Sequence, residues 1–414
     1  MASSSKRISE YLQSQIARGS FPGAQYVIGE DRKIVAEGAI GLAVIAPERI
    51  PVTLDTIYDL ASLTKPLITS LLTVMYVKRG VLDLNAAVGD YLDEFDGEGK
   101  ARVTLTELMT HTSGLPNWMP LYLKAGGAAD VPAEIARVLP GSRDSATAHT
   151  LVYSDLNYIL LGYVLERVTG ERLDRIAQRE IFNPLGLKRT MFNPTPELMR
   201  ETAATEHGQV FEQANAEDST TGGAQLAAGT DSGISDISVP QPSSPRLSAE
   251  LATADCRLPS DSSPREWRKH VIWGEVHDGN AHFLGGVAGH AGLFSTAREV
   301  FRIANQFLEG SELLASDSLR LFTENLTQGQ ETARSISWIL AATKDCSAGP
   351  ALAPTAIGHN GFTGTSVWMD PEKRRVFVLL TNRIHPRVAA TDMKQIRQQF
   401  NSLAVESLDG NKNS

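Results

Sequence analysis

The feature that most restricts this chain is a lysine set against an apolar run. From Pro66 to Val77 no residue is charged, and Leu67, Ile68, Leu71, Leu72 and Met75 recur at helical spacing with largely apolar residues on the other faces as well. Such a helix has to be enclosed on most sides. It is too short to cross a bilayer, which takes ~20 residues, so it reads as a buried core helix. The residue in front of it is Lys65, three positions after Ser62. In Ser62-Leu63-Thr64-Lys65 that spacing puts both side chains on one helix face, a turn apart. A serine hydroxyl is a poor nucleophile unaided. A lysine amine within hydrogen-bond reach can take its proton, provided burial and neighbouring groups lower the lysine pKa enough to keep part of it neutral. The tetrad alone is weak, because an N-cap serine beside a surface lysine has the same spelling. The run behind it argues otherwise, since a cation against the core needs a reason.

The rest of the chain reads as α+β. A helical segment from Ile8 to Ala17 precedes β-rich Gln25 to Ile28 and a second strand, Lys33 to Gly41. Near the other end, Thr365 to Met369 and Arg375 to Leu380 flank Asp370-Pro371-Glu372-Lys373 as a hairpin, and Met393, Ile396, Phe400 and Leu403 mark a closing amphipathic helix. Between them the pattern is helical. Thr104-Leu-Thr-Glu107 is a capping box, and Leu156, Leu160, Leu161, Val164, Leu165 and Val168 share a face stopped by Gly170. We therefore expect an antiparallel sheet flanked by helices, built discontinuously from residues 1–75 and 265–405, with an interposed all-helical subdomain over 76–208. Residues 209–264, rich in Ser, Thr, Asp, Gly and Pro, read as a flexible surface insertion, and 406–414 as a flexible tail.

Composition excludes several functions. The formal net charge is −9, and no stretch gathers Lys and Arg into a stripe that could follow a phosphate backbone, so nucleic acid is not an expected partner. Cys256 and Cys346 are isolated from each other and from histidines, which argues for free thiols and against zinc. His277, Asp278, His282 and His290 fit no metal-ligand spacing, and no cofactor or metal is expected. The N-terminus lacks the apolar core of a signal peptide, which reads as cytoplasmic, and no membrane segment is expected. Gly-x-Ser-x-Gly is absent, so an α/β-hydrolase nucleophile elbow is not available. Oligomeric state is not legible.

Two further motifs follow the tetrad in order: Tyr153-Ser154-Asp155, which leads into a helix, and His359-Asn360-Gly361, which precedes a strand. Each alone has an ordinary structural reading. Together the three resemble the serine β-lactamase and penicillin-binding protein superfamily, in particular its class C-like branch with D-aminopeptidase, carboxypeptidase and esterase members. Its pattern is S-x-x-K, then Y-x-N or a variant, then K-T-G or H-x-G. Further similar text surrounds the motifs, including His111-Thr-Ser-Gly-Leu-Pro116, Gly289-His-Ala-Gly-Leu-Phe294 and Leu380-Thr-Asn-Arg383.

The resemblance implies a β-lactamase/transpeptidase-like fold, with Ser62 as nucleophile, Lys65 as its activating partner and Tyr153 as the proton shuttle that later activates the deacylating water. It implies an oxyanion hole from the backbone N–H groups of Ser62 and Phe362, and substrate contacts from Asp155, His359 and Gly361. Two residues depart from the pattern. Asp155 replaces the usual Asn, adding a charge that would raise the Lys65 pKa if ionised. His359 replaces the lysine of K-T-G, exchanging a permanent cation for a group that titrates near neutrality. Affinity for an anionic substrate is then expected to fall as pH rises through the His359 pKa. The expected activity is an acyl-enzyme serine hydrolase acting on esters, small amides or short D-amino-acid peptides, with weak or no β-lactamase activity. The alternative is a non-catalytic protein that binds a ligand or cell-wall fragment on the same scaffold.

Overall fold

The computed structural model describes residues 2–95, 102–139, 150–221 and 267–410. Its strands are β1 (Gly23–Glu30), β2 (Lys33–Val44), β3 (Ile50–Pro51), β4 (Tyr58–Asp59), β5 (Met191–Phe192), β6 (Leu293–Ser295), β7 (Ile339–Leu340), β8 (Ile357–Asn360), β9 (Ser366–Asp370) and β10 (Arg375–Thr381). Seven of them form one sheet in the order β3-β2-β1-β10-β9-β8-β7. The chain ends thus meet at its centre, where β1 pairs antiparallel with β10, Val27 opposite Val378.

Alternation along β1 places its residues in two cores. Tyr26 and Ile28 pack with Ile8 and Leu12 of the Ala2–Ala17 helix and with Phe400 and Leu403 of the Met393–Gly410 helix. Val27 faces the opposite side, in a larger core shared with Leu67, Leu71 and Phe301. Close approach there depends on Gly29, whose hypothetical Cβ would lie 2.5 Å from a Phe301 ring carbon. The second sheet, β4-β6-β5, is tied to the segment around Ser62, where the Leu60 N–H donates to the Leu293 carbonyl at 2.9 Å and the Leu293 N–H to Thr64 Oγ1 at 3.2 Å.

The helical half follows its local signals. Thr104 and Glu107 form the reciprocal cap, and the Leu105–Thr110 helix ends at His111 in the left-handed region, φ 61°. The Asp155–Thr169 helix stops at Gly170, φ 68°.

Several boundaries differ from expectation. The segment behind Ser62 is a short 3-10 turn, Ala61–Leu63, then a π-helical turn, Lys65–Ser70, then the Leu71–Lys78 helix, so residue 75 falls inside an element. Pro66 has no N–H to give to a regular α-turn, which loosens the winding there. The stretch 76–208 also supplies β5 to the small sheet. The expected insertion opens with a helix, Val210–Thr221, in which Glu212 and Ala216 are buried, and its remainder lies outside the described residues. The expected tail is helical through Gly410, with Leu408 buried and Asp409 accepting a 2.5 Å hydrogen bond from the buried Arg375. Cys346 is buried, and Cys256 lies outside the described residues. No helix among the described residues is long and apolar enough to cross a membrane.

Candidate active site

Ser62 is presented by a strained turn. Ala61, immediately before it, has φ 47°, a region costly for a residue with a Cβ. The surrounding structure enforces it: buried Asp59 accepts the Ala61 N–H at 2.8 Å with one oxygen and the His277 N–H at 2.8 Å with the other. Thr363 Oγ1 donates to the Asp59 carbonyl and Thr365 Oγ1 to that of Leu60. The nucleophile turn is thereby stitched to the loop that follows β8.

Lys65 is fully buried, and its Nζ meets three acceptors: Ser62 Oγ at 2.8 Å, the His290 carbonyl at 3.2 Å and Asp155 Oδ1 at 2.7 Å. Burial alone would lower the lysine pKa, but the Asp155 carboxylate, with the Tyr153 hydroxyl beside it, outweighs burial and holds the pKa above its usual value. A partly neutral Lys65 is therefore not the resting state. Lys65 is an ammonium, and Asp155, expected as a substrate contact, is its ion-pair partner.

The Tyr153 ring centroid is 5.1 Å from Lys65 Nζ. Its ring lies 4.4 Å from that of His111 and 5.9 Å from that of His359. The Tyr153 hydroxyl is buried and makes no hydrogen bond of good geometry among the described residues. His111 Nδ1 accepts the Ser154 N–H at 3.0 Å, which assigns the proton of the neutral ring to Nε2. Burial, then the charges of Arg334 and Lys65, push the His111 pKa well below its ordinary value.

His359 lies at the end of β8 with its Nδ1 2.9 Å from the Asn360 carbonyl, so Nδ1 carries the proton and Nε2 is a buried acceptor with no partner among the described residues. Burial, followed by Arg334 and Lys65, lowers its pKa well below 6.5. The expected titrating cation at this position is therefore corrected: His359 is neutral throughout the neutral range. Gly361 spends its missing Cβ on the protein itself, because a methyl group there would lie 2.1 Å from Thr365 Oγ1 and 2.6 Å from the Leu60 carbonyl. Phe362 is fixed by ring contacts to His277 at 5.6 Å and Phe211 at 5.1 Å, and its carbonyl accepts from Arg383 Nε at 2.8 Å.

Ser62, Lys65, Tyr153 and Asp155 thus converge on one point, with His359 against Tyr153 and the Gly361–Phe362 segment against the Ser62 turn. Sequence reasoning missed two neighbours. Arg334 is buried with its guanidinium carbon 5.3 Å from the Tyr153 ring centroid. No periodicity marks it, because it precedes a two-residue strand. His290 gives its carbonyl to Lys65 while its Nε2 lies 2.8 Å from Asp278 Oδ1. Its signal was present in the Gly289-His-Ala-Gly-Leu-Phe294 text, without a role. The histidines considered as metal ligands each face a different carboxylate: His277 pairs with Glu206, His282 with Glu275 and His290 with Asp278.

Residues 8–400 match the family described as Beta-lactamase. The chain belongs to the beta-lactamase family. Membership in that family makes it a serine hydrolase by class. A protein of Escherichia coli O157:H7 named "Putative D-alanyl-D-alanine carboxypeptidase" is 27% identical over 412 residues, covering 92% of this chain and 83% of that protein. A Salmonella typhi protein of the same name is 28% identical with the same coverage. Among solved structures, a penicillin-binding protein homologue from Caulobacter crescentus superposes with TM-score 0.66 at 18% identity, over 98% of both chains. The same score, identity and coverage hold for EstCE1, described as a hydrolase with promiscuous acyltransferase activity. At such identities these two establish that this beta-lactamase family member shares their fold, and no more.

Proposed function

We propose that this protein hydrolyses short esters, small amides or D-amino-acid peptides through an acyl-enzyme on Ser62, with little activity on β-lactams. The observation that carries the reading is the 2.8 Å contact between Ser62 Oγ and a buried lysine, in a turn held by Asp59 and Thr363. Ser62 Oγ attacks the carbonyl carbon, and the negative charge that develops on the carbonyl oxygen is received by the N–H groups of Ser62 and Phe362; each such donor is worth roughly 3–4 kcal/mol of barrier. Tyr153, whose hydroxyl lies beside Lys65, passes a proton to the leaving group and later takes one from the attacking water. The names of the carboxypeptidase relatives support peptides, and that of EstCE1 supports acyl transfer from esters. A neutral His359 supports the preference against β-lactams, since it supplies no cation for their carboxylate.

The test is a panel of nitrophenyl esters, D-amino-acid amides, a D-alanyl-D-alanine peptide and nitrocefin. Turnover of an ester or peptide that disappears in Ser62→Ala is the expected result. Dominant nitrocefin turnover, or turnover that survives Ser62→Ala, contradicts the reading.

A further inference from the structure

The Lys65 ammonium donates to the Ser62 hydroxyl at 2.8 Å and to the His290 carbonyl at 3.2 Å, and it is ion-paired with the Asp155 carboxylate at 2.7 Å. With no lone pair left, Lys65 cannot take the serine proton until it has given one away. A main-chain carbonyl does not hold a full proton at working pH, and the serine hydroxyl is the group to be deprotonated. Only the carboxylate can accept.

We propose that Asp155 is the terminal acceptor of the Ser62 proton, acting through Lys65, so that the three residues form a relay. The proposal rests on Ser62 being the nucleophile. Asp155 is the first residue of the Asp155–Thr169 helix, which places its carboxylate 2.7 Å from Lys65 Nζ. Its side chain is 9% exposed, so a proton placed on it stays within the site. The asparagine expected from the Y-x-N pattern could hydrogen-bond to Lys65 but could not take its proton.

The step balances. Nζ gives a proton to Asp155 Oδ1 and becomes an amine, and rotation about the Cε–Nζ bond turns its lone pair to Ser62 Oγ. As Oγ bonds to the substrate carbonyl carbon, the Oγ proton moves to Nζ and the carbonyl π pair moves onto the oxyanion. Lys65 ends as it began, charged, and one negative charge has passed from Asp155 to the oxyanion. When the tetrahedral adduct collapses, the leaving group departs with its bonding pair and takes a proton from Tyr153, which Lys65 replaces as Asp155 returns its own proton to Nζ, so that the phenol, the ammonium and the carboxylate are all restored.

The relay keeps its proton inside the protein, so acylation does not wait for Lys65 to lose a proton to water. Among the described residues, the titratable and charged groups around the pair are Tyr153, His111, His359, Arg334, Asp278 and His290. Of these, His111 and His359 remain neutral through the neutral range, and Asp278 is held ionised by His290 and Lys65 against the effect of its burial.

The experiment is the pH profile of kcat/KM for a neutral nitrophenyl ester in wild type, Asp155→Asn and Ser62→Ala. Wild type is expected to be flat from about pH 6.5 to about 9, whereas Asp155→Asn, whose lysine must discharge to solvent, loses about tenfold per pH unit on its acid side. A proton inventory on wild type needs no variant and is expected to curve, because more than one proton is in flight. An Asp155→Asn profile parallel to wild type at every pH, or a linear inventory, overturns the relay while leaving Ser62 as nucleophile. Turnover by Ser62→Ala overturns both.

Discussion

At the residue scale, the site is governed by which groups carry charge at rest. His111, His359 and His385 all have pKa values pushed below that of a free histidine, in each case first by burial. Such a histidine binds no proton while folded but binds one when unfolded below about pH 6.5, so stability falls as pH drops through that point, by up to ~1.4 kcal/mol per pH unit for each histidine. His277 runs the other way. Its buried pairing with Glu206 raises its pKa, so its contribution is complete below about pH 6.5 and is lost as pH rises through the folded value. Urea unfolding between about pH 5 and 8 is expected to show His359→Gln with a shallower acid loss than wild type; an identical slope contradicts a neutral His359. For the same reason affinity for a carboxylate ligand should be unchanged from about pH 6 to 8, and His359→Lys should strengthen it about tenfold. Tyr153→Phe should cost about 100-fold or more in kcat without changing the melting temperature. The residues of this site were legible largely through their spacing and order. Their charge states were not, because they depend on Arg334 and on the His290 carbonyl, which folding brings in from distant positions.

At the element scale, the positions of helices and strands were readable where local chemistry dictates them. Thr104 and Glu107 cap their helix because side-chain acceptors meet orphan N–H groups, and Gly170 ends another because it takes the left-handed conformation without strain. The π-helical turn at Lys65–Ser70 was not readable, since winding around Pro66 depends on contacts such as Thr69 Oγ1 donating to the Gly289 carbonyl at 2.6 Å. The Val210–Thr221 helix was hidden by a polar sequence whose buried Glu212 is held by a distant main-chain group as well as a local side chain: its carboxylate accepts from the Gly279 N–H at 3.0 Å and from Gln209 Nε2 at 2.7 Å. At Gly361, replacement by Ala drives a methyl group into Thr365 and Leu60, with an expected cost of about 1–3 kcal/mol in chemical denaturation and a matching loss of activity. An unchanged midpoint contradicts the tight stitching of β8 to the Ser62 turn.

At the scale of the whole molecule, the chain ends build the sheet and the middle supplies Tyr153 and Asp155, so the site exists only where the two meet. The hydrophobic pattern disclosed this division, because β1 and β10 are largely apolar and the centre of the chain is helical. It did not disclose how far the last helix runs. Leu408 and Asp409 lie beyond the periodic positions Met393, Ile396, Phe400 and Leu403, and Arg375 at the start of β10 holds Asp409. Removing residues 406–414 should therefore destabilise the protein by about 2–5 kcal/mol, the cost of exposing a buried leucine and stranding a buried arginine, whereas a loose tail would cost nothing. The central claim is that one serine, Ser62, forms a covalent acyl intermediate where these halves meet. Intact-mass spectrometry with peptide mapping, after brief reaction with a nitrophenyl ester or a fluorophosphonate, tests it most directly: the account predicts a single adduct on the peptide containing Ser62, absent in Ser62→Ala, and an adduct on another residue, or none while the ester is turned over, would contradict it.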